Sequence, residues 1–183
     1  GNVKDALRLK CIGVGFTIYP GSEHNNKLIE QACNLFREAK ESGLITVLWS
    51  YARGGMSKKG ETAVNIISYA AHMACLCGAH IVKVKLPTSY LEDDPTKDAF
   101  IKNNIEINTA VDRVKVVKRS CFNGRRIVVF SGGEAKDDFE LLNEVKAIKE
   151  GGGNGSIVGR NCFQRSKKEA LALLDQMFSI YKN

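Results

Sequence analysis

The sequence has no apolar run approaching the roughly 18 residues that a membrane-spanning helix needs, and no secretory signal is recognisable in it. Neither a spanning protein nor a secreted one is expected. Any Cys-x-x-Cys pair is also missing. The six cysteines, at 11, 33, 75, 77, 121 and 162, show no disulfide-framework spacing, and the three histidines are scattered. No bound metal is therefore expected, and the cysteines read as reduced thiols of a cytoplasmic protein. Long basic blocks and basic–aromatic interleaving are absent too. The net charge of +7 is spread along the chain, which argues against a nucleic-acid partner and suits phosphorylated small molecules. No linker composition interrupts the sequence. Residues 1–183 are read as one domain, with a 44% hydrophobic content sufficient for a real core.

What is present is an alternation. Residues 11–19 (CIGVGFTIY) read as a strand buried on both faces, and Pro20-Gly21-Ser22 breaks it. Ser22 is expected to cap a helix over 23–42, whose apolar stripe is Leu28, Cys33, Leu35 and Phe36 and whose end is Gly43. A strand at 44–51, a basic glycine-containing loop at 53–60 and a helix at 61–77 follow, with Gly78 as a stop. The third strand covers 80–86, and an acidic cluster, Glu92-Asp93-Asp94, then reads as a solvated loop, with acids that tune a nearby lysine as the alternative. Helices near 109–120, 136–150 and 166–181 enclose strands at 126–131 and 155–158. Five strands alternating with helices demand a parallel sheet covered by helices. A (β/α)8 barrel and an open doubly wound sheet both fit. In a barrel the functional groups sit at the carboxyl ends of the strands, where the unusual polar residues fall here. A whole barrel takes about 200 to 250 residues, so five units leave roughly three out.

The third strand carries Lys83 and Lys85 among β-branched neighbours, in Ile81-Val82-Lys83-Val84-Lys85. Strand side chains alternate, so both lysines share one face. Two ammonium groups on one face of a buried strand are costly without a task. Partial desolvation and mutual repulsion, with Lys85 tuning Lys83, favour a neutral amine that could form a Schiff base. The plainer alternative is an edge strand with solvated lysines.

Trp49, Tyr51 and Arg53 likewise share one face of the second strand. A strand-end aromatic is usually packing. Here the phenol could move protons and the guanidinium could hold a phosphate. Ser131-Gly132-Gly133 and Gly159-Arg160-Asn161 each link a strand to a helix, where backbone amides can turn toward an anion; two ordinary tight turns are the alternative. Gly13-Val14-Gly15 lies within a strand and lacks a third glycine, so it reads as close packing rather than a dinucleotide fingerprint. His72 and His24 read as structural and exposed residues respectively, and His80 sits at the far end of the third strand.

The runs GVGFTIYPGSE, TVLWSYARGG, GAHIVKVK, FSGG and IVGRNCFQR, in that order, resemble the class I fructose-bisphosphate aldolases of the bacterial and archaeal DeoC/FbaB type, over nearly the whole chain. The resemblance implies a (β/α)8 barrel of which this chain holds strands four to eight. It implies Lys83 as the Schiff-base lysine and Tyr51 as the proton-transferring tyrosine, with Trp49 beside them. It also implies Ser131, Gly132, Gly133, Gly159 and Arg160 as phosphate-binding positions, no cofactor, a phosphorylated sugar as substrate, and a homo-oligomer. The Asp/His motif that the family carries after its first strand has no counterpart here, so the active site is expected to be incomplete. Two other readings stay open: a lysine-dependent aldolase or acyl transferase acting on a different phosphorylated sugar, and a non-catalytic phosphate-binding module.

Overall fold

A computed structural model describes residues 1–133 and 136–182. Five strands form one sheet: β1 (Gly13–Ile18), β2 (Ile45–Ser50), β3 (Ile81–Lys85), β4 (Ile127–Ser131) and β5 (Gly155–Ile157). All four pairings are parallel, and the strands lie side by side in chain order. A doubly wound sheet must reverse its strand order at a switch point. No reversal occurs, so the winding is that of a barrel wall, and β1 and β5 are its edges. β3 is the central strand, which removes the edge-strand account of Lys83 and Lys85.

The helices are α1 (Val3–Arg8), α2 (Asn25–Glu41), α3 (Val64–Leu76), α4 (Asp94–Lys102), α5 (Ala110–Ser120), α6 (Asp138–Glu150), α7 (Arg160–Phe163) and α8 (Lys167–Lys182). Helices α2, α3, α5 and α6 cover one face of the sheet. There Ile18, Leu48, Val82, Val84, Val128 and Phe130 are fully buried against Phe36, Ile67, Val114 and Val117. At about 25 cal/mol per Å2 of apolar surface removed from water, this layer is the main stabilising contribution to the fold.

Several sequence expectations need correction. β1 is not buried on both faces, because helices cover only one face of the sheet: Val14, Phe16 and Ile18 pack on the helix side, while Gly15 on the other face is exposed. Ser22 does not cap α2. Its amide donates to the Tyr19 carbonyl at 3.0 Å in a turn, and the helix begins at Asn25 with His24 before it. The helix expected at 61–77 starts instead at Val64, after a 3-10 turn at Gly60–Thr62. Nor is the acidic cluster simply solvated. Asp93 accepts a hydrogen bond from the Thr96 amide at 2.9 Å and so caps α4, while Glu92 accepts from the Ser57 amide and hydroxyl at 2.6 and 2.7 Å. Among the described residues all six cysteines are free thiols, and no helix is long and apolar enough to cross a membrane.

Candidate active site

The uncovered face of the sheet is built in layers set by register. Thr17 lies beside Trp49, Trp49 beside Lys83, Lys83 beside Val129, and Val129 beside Gly155. One step nearer the carboxyl ends, Lys85 lies beside Ser131 and Ser131 beside Ile157. The side chains of this layer turn the way period-two alternation requires, opposite to Leu48, Val82 and Phe130.

Lys83 is half-buried, and its ammonium stands 5.9 Å from the centre of the Trp49 ring, in reach of a cation–π contact. Burial pushes its amine below the ordinary lysine value. The expectation that the charge of Lys85 does this finds no support. Burial is the cause, and the Lys85 amine is engaged elsewhere, 3.3 Å from Glu61. The indole of Trp49 fits because Gly15 lies opposite it: a Cβ built there would come within 2.4 Å of the Trp49 ring. The close-packing reading of the Gly13-Val14-Gly15 run therefore describes what this run does.

Above this layer a cleft of about 810 Å3 opens at the strand carboxyl ends, and Tyr51, Arg53, Lys85, Ser131, Gly133 and Arg160 are among its lining. Lys83 and Trp49 belong to the layer beneath. Tyr51 is raised above the ordinary phenol value by burial, which outweighs its hydrogen bond with Ser131. Arg53 bonds Glu61 at 2.7 Å and the Ala52 carbonyl at 2.9 Å, so its fork is partly occupied. Pro20-Gly21 packs on this segment: the Arg53 amide donates to the Pro20 carbonyl at 2.9 Å, and Gly21 adopts φ +89° where a Cβ would meet the Gly54 carbonyl oxygen at 2.8 Å.

The two glycine loops after β4 and β5 are adjacent. Arg160 donates to the Gly133 carbonyl at 3.0 Å, and Asn161 donates to the Gly132 carbonyl at 3.2 Å. Gly132 admits no side chain without a shift, since a Cβ would meet Val158 at 2.8 Å. Gly159 directly precedes α7. All ten site residues expected from the sequence therefore lie in the two upper layers or in the loops at the carboxyl ends of the strands, with Arg53 on the loop after β2.

Two residues escaped the sequence reading. Asn161 is 2% exposed and ties both loops together, also accepting from the Lys136 amide at 2.8 Å. It stood in the Gly159-Arg160-Asn161 run, but nothing marked it as buried. Glu61 is the other. It bonds Arg53, Lys58 and Lys85 at 2.7, 3.2 and 3.3 Å. Burial acts to raise its carboxyl, but the hydrogen bonds from Lys58 and Lys85 and the Arg53 charge hold it below the ordinary range. Its one sequence signal was an acid directly after a basic loop. The histidines do not enter the site. His72 bonds the Ser120 carbonyl at 2.8 Å, and the Nδ1 of His80 accepts from the Thr46 amide at 3.1 Å at the opposite end of the sheet. Among the described residues no group of three His, Cys, Asp or Glu gathers as for a metal ion.

The family model for DeoC/LacD aldolases matches residues 1–165. The chain belongs to the DeoC/LacD aldolase family. Members similar to it include the probable fructose-bisphosphate aldolase class 1 of Chlamydia muridarum, 33% identical over 98% of this chain and 54% of that protein. The fructose-bisphosphate aldolase/6-deoxy-5-ketofructose 1-phosphate synthase of Methanocaldococcus jannaschii is 31% identical over 98% of this chain and 51% of that protein. This aldolase-family chain thus spans about half the length of the curated relatives it matches. A solved archaeal fructose-1,6-bisphosphate aldolase, with its catalytic lysine covalently bound to the carbinolamine intermediate of the substrate, superposes with a TM-score of 0.75 at 31% identity, over 97% of this chain and 62% of that one. The consecutive parallel sheet is therefore part of an aldolase barrel.

Proposed function

We propose that this chain carries the carbonyl-condensing and phosphate-holding part of a class I, Schiff-base-forming fructose-1,6-bisphosphate aldolase. The observation that carries the reading is Lys83. It sits on the central strand, half-buried beside Trp49, and among the described residues no carboxylate pairs with it. An amine so placed keeps a larger neutral fraction at neutral pH than a solvated lysine. Its lone pair attacks the C2 carbonyl of the sugar, and the carbinolamine loses water to give an iminium. The iminium takes up the electron pair of the breaking C3–C4 bond while the C4 hydroxyl gives up its proton. Glyceraldehyde 3-phosphate leaves. The enamine is then protonated and hydrolysed, which frees dihydroxyacetone phosphate and the lysine. Tyr51 at the cleft wall is the proton carrier, its phenol kept protonated by burial. Ser131, Gly132, Gly133, Gly159 and Arg160 hold one phosphate, with Arg53 at the facing rim.

The relatives' names support fructose bisphosphate as substrate. The double name of the M. jannaschii relative also favours a second reading, in which a lysine of this kind serves another phosphorylated ketose. We read residues 1–183 as one domain of a cytoplasmic protein that assembles into homo-oligomers, since Phe139, Phe163 and Phe178 remain exposed.

The test is reductive trapping. With dihydroxyacetone phosphate and borohydride, the full-length protein should gain a covalent adduct mapped to Lys83, and Lys83→Ala should lose both the adduct and cleavage. An adduct mapped to another residue, or none, overturns the reading; none at all would leave a phosphate-binding module as the better account. Comparing cleavage of fructose bisphosphate with that of other phosphorylated ketoses separates the two aldolase readings.

A further inference from the structure

Two lysines on one strand face pose a selectivity problem. Either amine, if neutral, could condense with a ketone in the cleft, yet an adduct on Lys85 would stand one register layer above the Trp49 layer, beside Ser131. The surroundings of the two lysines differ in one respect. Lys83 faces the Trp49 ring. Lys85 faces the Glu61 carboxylate, sharing its Oε2 with Arg53 while Lys58 meets Oε1.

The position of Glu61 is fixed by its surroundings. Its side chain is 12% exposed. Its amide donates to the Ser57 carbonyl at 3.3 Å, and the neighbouring Gly60 amide donates to the Ser57 hydroxyl at 2.9 Å. Glu92 accepts from both the amide and the hydroxyl of Ser57, which ties the loop to the segment after β3. Gly60 is closed in by the Glu92 carboxylate, which a Cβ would approach to 2.4 Å. The carboxylate is therefore held where Lys85 emerges from the sheet.

Resting on the reading of Lys83 as the condensing amine, we propose that Glu61 is a positioning residue that assigns different roles to the two lysines. Its carboxylate keeps Lys85 an ammonium that faces the cleft, and so leaves Lys83 as the amine that condenses with the carbonyl. An ammonium has no lone pair and forms no carbinolamine. It contributes charge toward a phosphate or a developing oxyanion. Burial and the charges of Arg53 and Lys58 hold the Lys85 amine below the ordinary lysine value, as burial does for Lys83, but on Lys85 alone a carboxylate, that of Glu61, pushes back toward the ammonium. No second acid within the described residues bonds Lys85 to take over that role.

The experiment combines trapping with competitive lysine labelling on the full-length protein. In Lys83→Ala, borohydride with dihydroxyacetone phosphate should leave no adduct. In Lys83→Ala/Glu61→Gln, an adduct at Lys85 should appear. Trace labelling with acetic anhydride at neutral pH, read by peptide mass spectrometry, should show Lys83 more reactive than Lys85 in the unmutated protein. It should also show Lys85 reactivity rising about tenfold in Glu61→Gln, the equivalent of about one pKa unit. Glu61→Asp should restore most of the contrast, which a merely structural role would not do. An adduct on Lys83 in the unmutated protein, with Lys85 unchanged by Glu61→Gln, overturns this proposal alone. Failure of the unmutated protein to form any adduct overturns the parent reading and this one with it. Should Glu61→Gln not fold, the labelling ranking in the unmutated protein decides, and equal or reversed reactivity of the two lysines overturns the proposal.

Discussion

The two faces of this sheet are made by the same five strands and differ in almost everything else. On the helix-covered face Leu48, Val82, Val84, Val128 and Phe130 are all at 0% exposure. On the other face Ile45, Ile127 and Ile157 keep 42%, 45% and 42%. That face also carries Trp49, Lys83, Lys85 and Ser131 in register. One face contributes cohesion and the other presents chemistry. Because side chains alternate with a period of two, one strand can serve both ends without compromise in either. Lys83 lies between Val82 and Val84, so its backbone is fixed by two fully buried neighbours while its amine stays accessible to the cleft layer.

The largest effect on this comparison should come from the covered face. Phe130 packs in the main core, fully buried on β4. Phe130→Ala removes a large ring and leaves a cavity, which costs about 3 to 5 kcal/mol. Urea denaturation followed by far-UV circular dichroism measures it. A loss under about 1 kcal/mol would mean that the helices do not seal this face.

A smaller effect should come from the upper layer of the open face. Tyr51→Phe keeps the ring and deletes the hydroxyl that meets Ser131. In the full-length protein, turnover should fall by about 100-fold while imine trapping persists. The loss should be in the proton-transfer steps, so the borohydride adduct still forms at Lys83. Near-normal turnover would return Tyr51 to the status of a packing residue and shrink the chemical role of this face.

How much of this contrast was legible in the sequence depends on which forces wrote it. The strands were legible because β-branched runs such as 81–85 have few other destinations. The shared face of Lys83 and Lys85 followed from alternation alone. Helix α4 was not legible, because none of its residues is buried and so no apolar stripe marks it; its signal was the Asp93 cap and Pro95 in its first turn. α1 is six residues long with Val3 alone buried, too short to show a period. Barrel winding over doubly wound winding was invisible too, since both alternate strand and helix, and strand order alone separates them. Glu61 was missed for a related reason. Its meaning lies in meeting Lys85, 24 residues away, across a loop whose course is set by Glu92 and Ser57.

The smallest expected effect lies at the amino end of the open face, and it asks whether that face is open in solution. Ile127 is 45% exposed and lies beside Ile81 in register, far from the cleft. If nothing further covers it, Ile127→Ser loses only the packed half of one side chain, and the stability of the 183-residue chain should fall by less than about 1 kcal/mol. Solubility should rise, because exposed apolar side chains beside unpaired strand edges favour association. A cost of about 1.5 kcal/mol or more in this chain would mean that the face is covered, by a second copy, since no other occupant is present in the sample. Sedimentation at several protein concentrations then separates the cases: a concentration-dependent mass that Ile127→Ser abolishes would show that the open face is an interface, whereas a monomer with an unchanged melting curve leaves the two faces as different as their burial makes them.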